Sequence, residues 1–219
     1  MFRKKSGILV SFEGTEGSGK STLIREVAML MESLNYRTLQ TREPGGSSVA
    51  EKLREIILHS SMTARTELFL YEAARAEHLE ATVLPALEHG KVVLCDRFTD
   101  STLAYQSYAR GLPWKEVKAL NRLATSGTKP DLTILLDIDP QVGLLRAKDP
   151  NRFEAEGLAF QKKVRSGYLK ARSEDPRRWF TLKAGKGTPE QLAAKALREI
   201  LKRFEKKLKK GGTQGSLAS

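Results

Sequence analysis

The chain has 219 residues, of which 29% are charged, with a formal net charge of +12 and a single cysteine. That length suits one globular domain, read here as residues 1–209. No apolar run reaches bilayer length and no signal-peptide core precedes the first strand, so the reading is a soluble, cytoplasmic protein without membrane attachment. Cys95 alone builds neither a disulfide nor a zinc site, and its place in an apolar run predicts a buried strand residue.

The first predicted strand, Ile8 to Phe12, runs directly into G-T-E-G-S-G-K-S and a helix near residues 20 to 34. This is the Walker A phosphate loop in strand-loop-helix context. Gly14, Gly17 and Gly19 let the backbone N–H groups of Thr15, Glu16 and Ser18 turn inward toward phosphate oxygens. Lys20 is expected at the β and γ phosphates of ATP and the Ser21 hydroxyl at magnesium, while Thr22 continues the first helical turn, whose positive end faces the anion.

A second strand, Thr38 to Thr41, ends in T-R-E-P-G-G, where Pro44 and two glycines force a turn that carries Arg42 and Glu43 to the same rim. Helices are predicted near 48 to 59 and 66 to 89. The third strand, Val92 to Asp96, ends in C-D-R-F, followed by Ser101, Tyr105 and Gln106. At such a strand end Asp96 is placed to hold magnesium through water and Arg97 to fork onto a phosphate. A helix near 114 to 126 leads to the fourth strand, Leu132 to Asp137. Helices near 140 to 147 and 154 to 173 then bracket R-A-K-D-P-N-R-F-E, with Arg146, Lys148 and Arg152 on a basic flap interrupted by Pro150. The predicted lid covers about 146–156, where cations gather most usefully around a transferring phosphoryl group.

The last strand, Trp179 to Leu182, precedes a helix near 189 to 209. Residues 195 to 210 hold eight Lys or Arg against Glu199 and Glu205, a local excess of six and half the net charge. Leu192, Ala196, Leu197, Ile200, Leu201, Phe204 and Leu208 recur at helical spacing, so the cations are expected on the solvated face, not on a nucleic-acid site. Residues 210–219 are expected to be a disordered tail. The alternation predicts an α/β fold, a five-stranded parallel sheet flanked by helices with a mobile lid. Glu13, Arg42, Asp96, Arg97 and Asp137 should then face one crevice at the strand ends.

The set F-E-G-T-E-G-S-G-K-S, T-R-E-P-G-G, L-Y-E-A-A-R-A-E-H, D-R-F-x-x-S-x-x-A-Y-Q and the basic flap closely resembles the thymidylate kinases, over roughly residues 8 to 205. The resemblance implies a P-loop nucleoside monophosphate kinase fold, a homodimer, and transfer of the γ-phosphoryl group of ATP to dTMP with magnesium as cofactor. It implies that Glu13 sits near the deoxyribose and the metal, that Arg42 and Arg97 bind the monophosphate, and that Arg75 donates to a thymine carbonyl. Ser101, Tyr105 and Gln106 would line base and sugar, Tyr105 crowding the place of a ribose 2'-hydroxyl. Where the family places a phenylalanine against the base this chain has Tyr71, and Glu72 beside it is expected to point away from the pocket. The P-loop contains no arginine, so catalytic charge is expected from Lys20, Arg97 and the lid residues Arg146, toward the adenine, and Arg152, toward the phosphates.

A phosphate monoester has its second pKa near ~6 and is already a nucleophile at neutral pH, so no protein base is required. His59, His78 and His89 are accordingly expected on helix surfaces. Three alternatives follow from the same residues: a deoxynucleoside kinase with Glu43 as base, a non-catalytic ATP-binding P-loop module, and a nucleic-acid binder using the basic C-terminal helix.

Overall fold

The computed structural model describes residues 6–146 and 152–211. Five strands, β1 (Ile8–Glu13), β2 (Thr38–Arg42), β3 (Val92–Asp96), β4 (Leu132–Asp137) and β5 (Trp179–Lys183), form one sheet in the order β2-β3-β1-β4-β5, with every pairing parallel. The expected strands thus lie within one residue of their predicted bounds. Continuous apolar runs are what a sheet covered on both faces requires.

Alternation along the strands distributes side chains between the layers. Ile8, Val10 and Phe12 of β1, Val92 and Leu94 of β3, and Leu132, Ile134 and Leu136 of β4 pack on one face against α1 (Lys20–Ser33) and α10 (Pro189–Gly211). Leu9, Val93 and Cys95 face the other side, toward Leu79, Val83 and Leu87. Along α10, Ala193, Ala196 and Ile200 are fully buried, whereas Lys195, Arg198, Lys202, Lys206 and Lys207 are exposed, the solvated basic face expected of this helix.

Between β2 and β3 stand α2 (Ser48–His59) and α3 (Ala64–His78), followed by a π-helical turn, Leu79–Val83, and α4 (Leu84–Glu88). The single helix expected over 66 to 89 is therefore interrupted. Pro85 has no N–H to donate and crowds the preceding turn, and the wider π turn takes up the mismatch. After β3 the chain forms α5 (Thr99–Thr102) and a second π-helical segment, Leu103–Ala109, which the sequence pattern did not reveal. Then come α6 (Trp114–Ala124), α7 (Pro140–Arg146), α8 (Arg152–Ala155) and α9 (Gly157–Glu174). Gly157, at φ +80°, separates α8 from α9 where one helix was expected. A third cluster, with Leu103, Tyr105, Val117, Phe153, Phe160, Val164 and Tyr168, packs this helical layer beside the strand ends. Residues 147–151, including Lys148 and Pro150 of the expected lid, and 212–219 of the expected tail lie outside the described residues.

Candidate functional site

Register fixes the centre of the site. Phe12 of β1 pairs with Asp96 of β3, and Arg42 of β2 pairs with the same Asp96, so Glu13, Arg42, Asp96 and Arg97 emerge together at the carboxyl edge. Asp137 does not join them. Its carboxylate is taken by Arg165 at 2.6 and 3.1 Å and by Lys183, correcting its expected place in the crevice. Burial opposes the charge of Asp137, but these cations hold it below the usual carboxylate range.

The loop after β1 has the geometry of a phosphate cradle. A Cβ on Gly17, at φ +66°, would meet the Gly143 carbonyl at 1.9 Å, so only glycine fits there. Lys20 is buried, and its Nζ donates to the carbonyls of Gly14 and Thr15 at 3.2 and 3.1 Å. Burial and the nearby Arg97 charge lower its pKa. The Ser21 hydroxyl donates to Asp96 Oδ2 at 2.9 Å. Residues 16–22, Arg42, Glu43, Arg54, Asp96 and Arg97 together line a cleft of about 370 Å³. Arg54, which the sequence did not single out, is anchored by donation to the Pro44 carbonyl at 2.8 Å.

Arg97 has a left-handed backbone, φ +68°, and its side chain is the hub of the site. Nη1 donates to Gly14 O at 3.0 Å and to the Tyr168 hydroxyl at 3.0 Å, and Nη2 donates to Glu16 Oε1 at 2.6 Å. The guanidinium carbon lies 5.0 Å from the centre of the Tyr105 ring, whose hydroxyl also donates to Glu16, at 2.9 Å. Burial alone would raise the Glu16 pKa, but Arg97 and Lys20 outweigh it and hold the carboxylate low. Tyr168 of α9 is a further member of this cluster, absent from the sequence reading because nothing local marks it.

Beside the cleft lies a second, enclosed cavity walled by Glu16, Glu43, Tyr71, Arg75, Arg97, Phe98, Ser101, Tyr105, Gln106 and Phe153. Phe153 packs edge-on against Tyr71 and Tyr105, with ring centres 6.4 and 5.8 Å away, and about 20 Å³ of the cavity is free. Arg75, 1% exposed, donates from Nε to Glu43 at 2.7 Å, from Nη1 to Glu72 at 3.0 Å and Asn121 at 2.7 Å, and from Nη2 to the Phe98 carbonyl at 3.2 Å. Glu72 is therefore buried against Arg75 and does not line the cavity, in keeping with the expectation that it points away from the pocket. Burial raises its pKa although Arg75 works against the shift.

Two expectations are corrected here. His78 is fully buried, between Glu43 Oε1 at 3.1 Å and Thr41 Oγ1 at 2.7 Å, whereas His59 and His89 are exposed. With its two oxygens held by Arg75 and His78, Glu43 is a structural acceptor and not a poised base. Glu13 is also fully buried. Its oxygens accept from Phe98 N at 2.8 Å and Ser101 Oγ at 2.6 Å, which sets the carboxylate directly behind the part of the cavity wall that Phe98 and Ser101 form. Burial, reinforced by Asp100, pushes its pKa up to about 8.

Of the remaining expected residues, Tyr71, Ser101, Tyr105 and Gln106 meet at the second cavity, and Arg42 sits on the cleft, paired with Glu51 at 3.0 Å. Arg146 is exposed at the end of α7. Arg152 opens α8, and its side chain lies outside the described residues. The Ser21 hydroxyl and the Asp96 carboxylate offer hard oxygen donors at the mouth of the phosphate cradle, which suits magnesium. Among the described residues no group of three or more His, Cys, Asp or Glu could close a metal shell, so protein oxygens would supply only part of it. No described helix is long and apolar enough to cross a membrane.

Comparison with known proteins matches residues 12–206 to the family described as thymidylate kinase. A thymidylate kinase of Pelobacter propionicus is 43% identical over 207 residues, 89% of this chain and 94% of that protein. The thymidylate kinase of Bacillus velezensis is 43% identical over 210 residues, covering 91% and 99% of the two chains. That of Syntrophotalea carbinolica is 49% identical over 181 residues, covering 77% and 84%.

Proposed function

The chain belongs to the thymidylate kinase family, and from that membership we propose how its residues transfer the γ-phosphoryl group of ATP to dTMP, giving dTDP and ADP. The observation that carries the reading is a shared wall. Glu16, Glu43 and Arg97 line both the phosphate cleft and the enclosed cavity, so a donor phosphate in one and an acceptor phosphate at the rim of the other meet at Arg97.

Lys20 exchanges its loop carbonyls for the β and γ phosphates of ATP, and the inward N–H groups of residues 14 to 19 hold the remaining oxygens. Ser21 and Asp96 would hold magnesium, which would supply positive charge to the phosphates when bound. Arg97 and Arg42, with Arg54 behind them, draw in the acceptor phosphate. The Gly14 carbonyl and Tyr168 fix the Arg97 fork before substrate arrives, so little reorganisation remains for the reaction. Arg75 donates to the base, Tyr71 stacks on it, and Tyr105, pinned to Glu16, fills the space of a 2'-hydroxyl. Phe153, packed edge-on against Tyr71 and Tyr105, covers the end of the cavity that receives the base.

Arg146 and Arg152 add charge from the lid. The acceptor phosphate is its own nucleophile, so catalysis consists of alignment and charge neutralisation. The same reading places the protein in the cytoplasm as a homodimer.

A coupled ADP-release assay across dTMP, dUMP, UMP, AMP and thymidine tests it. Release is expected to be fastest with dTMP. Turnover with thymidine but not dTMP would restore the nucleoside kinase, and no release above an acceptor-free control would leave only an ATP-binding module.

A further inference from the structure

Behind the acceptor pocket, Glu67 of α3 is fully buried and lines neither the phosphate cleft nor the base cavity. Its Oε1 accepts from Gln106 Nε2 at 2.6 Å and from Arg110 Nε at 2.9 Å, and its Oε2 from Arg110 Nε at 3.1 Å. Arg110 also reaches Glu156 at 2.8 Å, and its Nε–H is directed at both Glu67 oxygens, so both serve as acceptors. An ionised carboxylate only accepts hydrogen bonds. Gln106 must therefore turn its NH2 toward Glu67, which leaves its carbonyl oxygen for the pocket it lines.

The neighbouring donor is equally constrained. A guanidinium has five N–H groups. Four on Arg75 are engaged by Glu43, Glu72, Asn121 and the Phe98 carbonyl, leaving one on Nη2 for the pocket. The wall thus presents one donor and one acceptor. That pair complements the O4 and N3–H of thymine or uracil, and it opposes cytosine, which presents an amino group and a bare N3.

We propose that Glu67 is a positioning residue that locks the Gln106 amide, so that the pocket accepts a pyrimidine bearing N3–H and rejects cytosine. The proposal rests on the acceptor reading above. Without Glu67 the amide can present either end, because only a charge-assisted bond of this kind holds one orientation, by roughly 10- to 100-fold. Glu67 does not separate dTMP from dUMP, since both carry the same edge.

The test is a cycle of Glu67→Gln, Gln106→Leu and the double variant, read as Kd and kcat/KM for dTMP, dUMP and dCMP. Glu67→Gln is expected to lower the dTMP-to-dCMP ratio roughly 10- to 100-fold, mainly through Kd and KM, with dUMP following dTMP. In the double variant the ratio should fall no further than in Gln106→Leu, because Glu67 acts through Gln106. An unchanged ratio in Glu67→Gln, or losses that add, would overturn the proposal. If Glu67→Gln fails to fold, 3-deaza-dUMP, with C–H in place of N3–H, is measured on the unaltered protein. It should bind roughly 10- to 100-fold more weakly than dUMP, and equal binding overturns the proposal. An unaltered protein that never phosphorylates dTMP defeats the functional reading instead, which separates the two failures.

Discussion

Replacing Arg75 with methionine keeps much of its length and apolar stem but removes the cation that Glu43 and Glu72 share. Both carboxylates are nearly inaccessible, at 4% and 7% exposure. Glu43 would retain His78, but Glu72 Oε1 already has no hydrogen-bond partner and its other oxygen relies on Arg75. Breaking a buried pair from one side costs about 3 to 5 kcal/mol, because the remaining charge stays buried without compensation. For a chain of this size that is a fall in Tm of about 10 °C. The loss must depend on pH. The stranded carboxylates are relieved by taking up protons, so the folded variant binds protons more tightly than its unfolded chain, and its deficit shrinks as pH falls. Urea unfolding of both proteins at about pH 8 and about pH 5, with dTMP titrated calorimetrically at each, should show a wide stability gap that narrows in acid and no measurable dTMP binding. A gap below about 1 kcal/mol, the size of an ordinary surface effect, or one unchanged between the two pH values, would refute the pairing argument.

Glu13 sets a second pH signature. Its pKa is about 8 in the fold against 4.5 unfolded, raised first by burial and then by Asp100. Its contribution to stability is therefore complete below about 4.5 and is lost as pH rises through about 8, and Glu13→Gln should abolish that slope; parallel stability profiles for the two proteins would show that Glu13 does not titrate this way. Tyr105→Ala should raise turnover of ribonucleotides relative to dTMP, and an unchanged preference for dTMP over UMP would remove Tyr105 from sugar selection. The homodimer expected from the family has a candidate face where α2 and α3 pack together and leave Val49, Ile56 and Phe69 exposed. Phe69→Glu should give a monomer by light scattering, whereas a wild-type protein already monomeric would exclude the dimer.

The strands and the phosphate loop were legible because their signals are local: apolar runs, glycine spacing, and a lysine and serine at the start of a helix. The residues less legible were polar groups whose partners lie far along the chain. His78 falls on a mixed helix, where a lone polar residue reads as surface, yet Glu43 meets it from 35 positions away. Glu72 and Arg75 are three apart, which suggests only a helix-surface pair, until Glu43, 32 positions away, and Asn121, 46 positions away, enclose the guanidinium. The segment Thr99–Ala109 escaped because it is buried on several faces and opens with Thr, Asp and Ser, weak helix formers in isolation.

These buried polar groups also explain why an acidic residue is tolerated next to an anionic substrate. Around the base end, Glu43, Glu67, Glu72 and Glu156 face Arg75 and Arg110, which leaves two excess negative charges. Around the phosphate end, with the shared Glu43 counted at the base end where Arg75 holds it, Lys20, Arg42, Arg54 and Arg97 face Glu16, Glu51 and Asp96, which leaves one excess positive charge. The field along the pocket therefore runs in one direction and orients an entering monophosphate with its base toward Arg75 and its phosphate toward Arg97. Glu72 lies on the side from which the phosphate is to be excluded, so its charge helps orientation instead of opposing binding. Neutralising it with Glu72→Gln would weaken that gradient at the end remote from the reaction, while leaving every cation at the phosphate cleft in place.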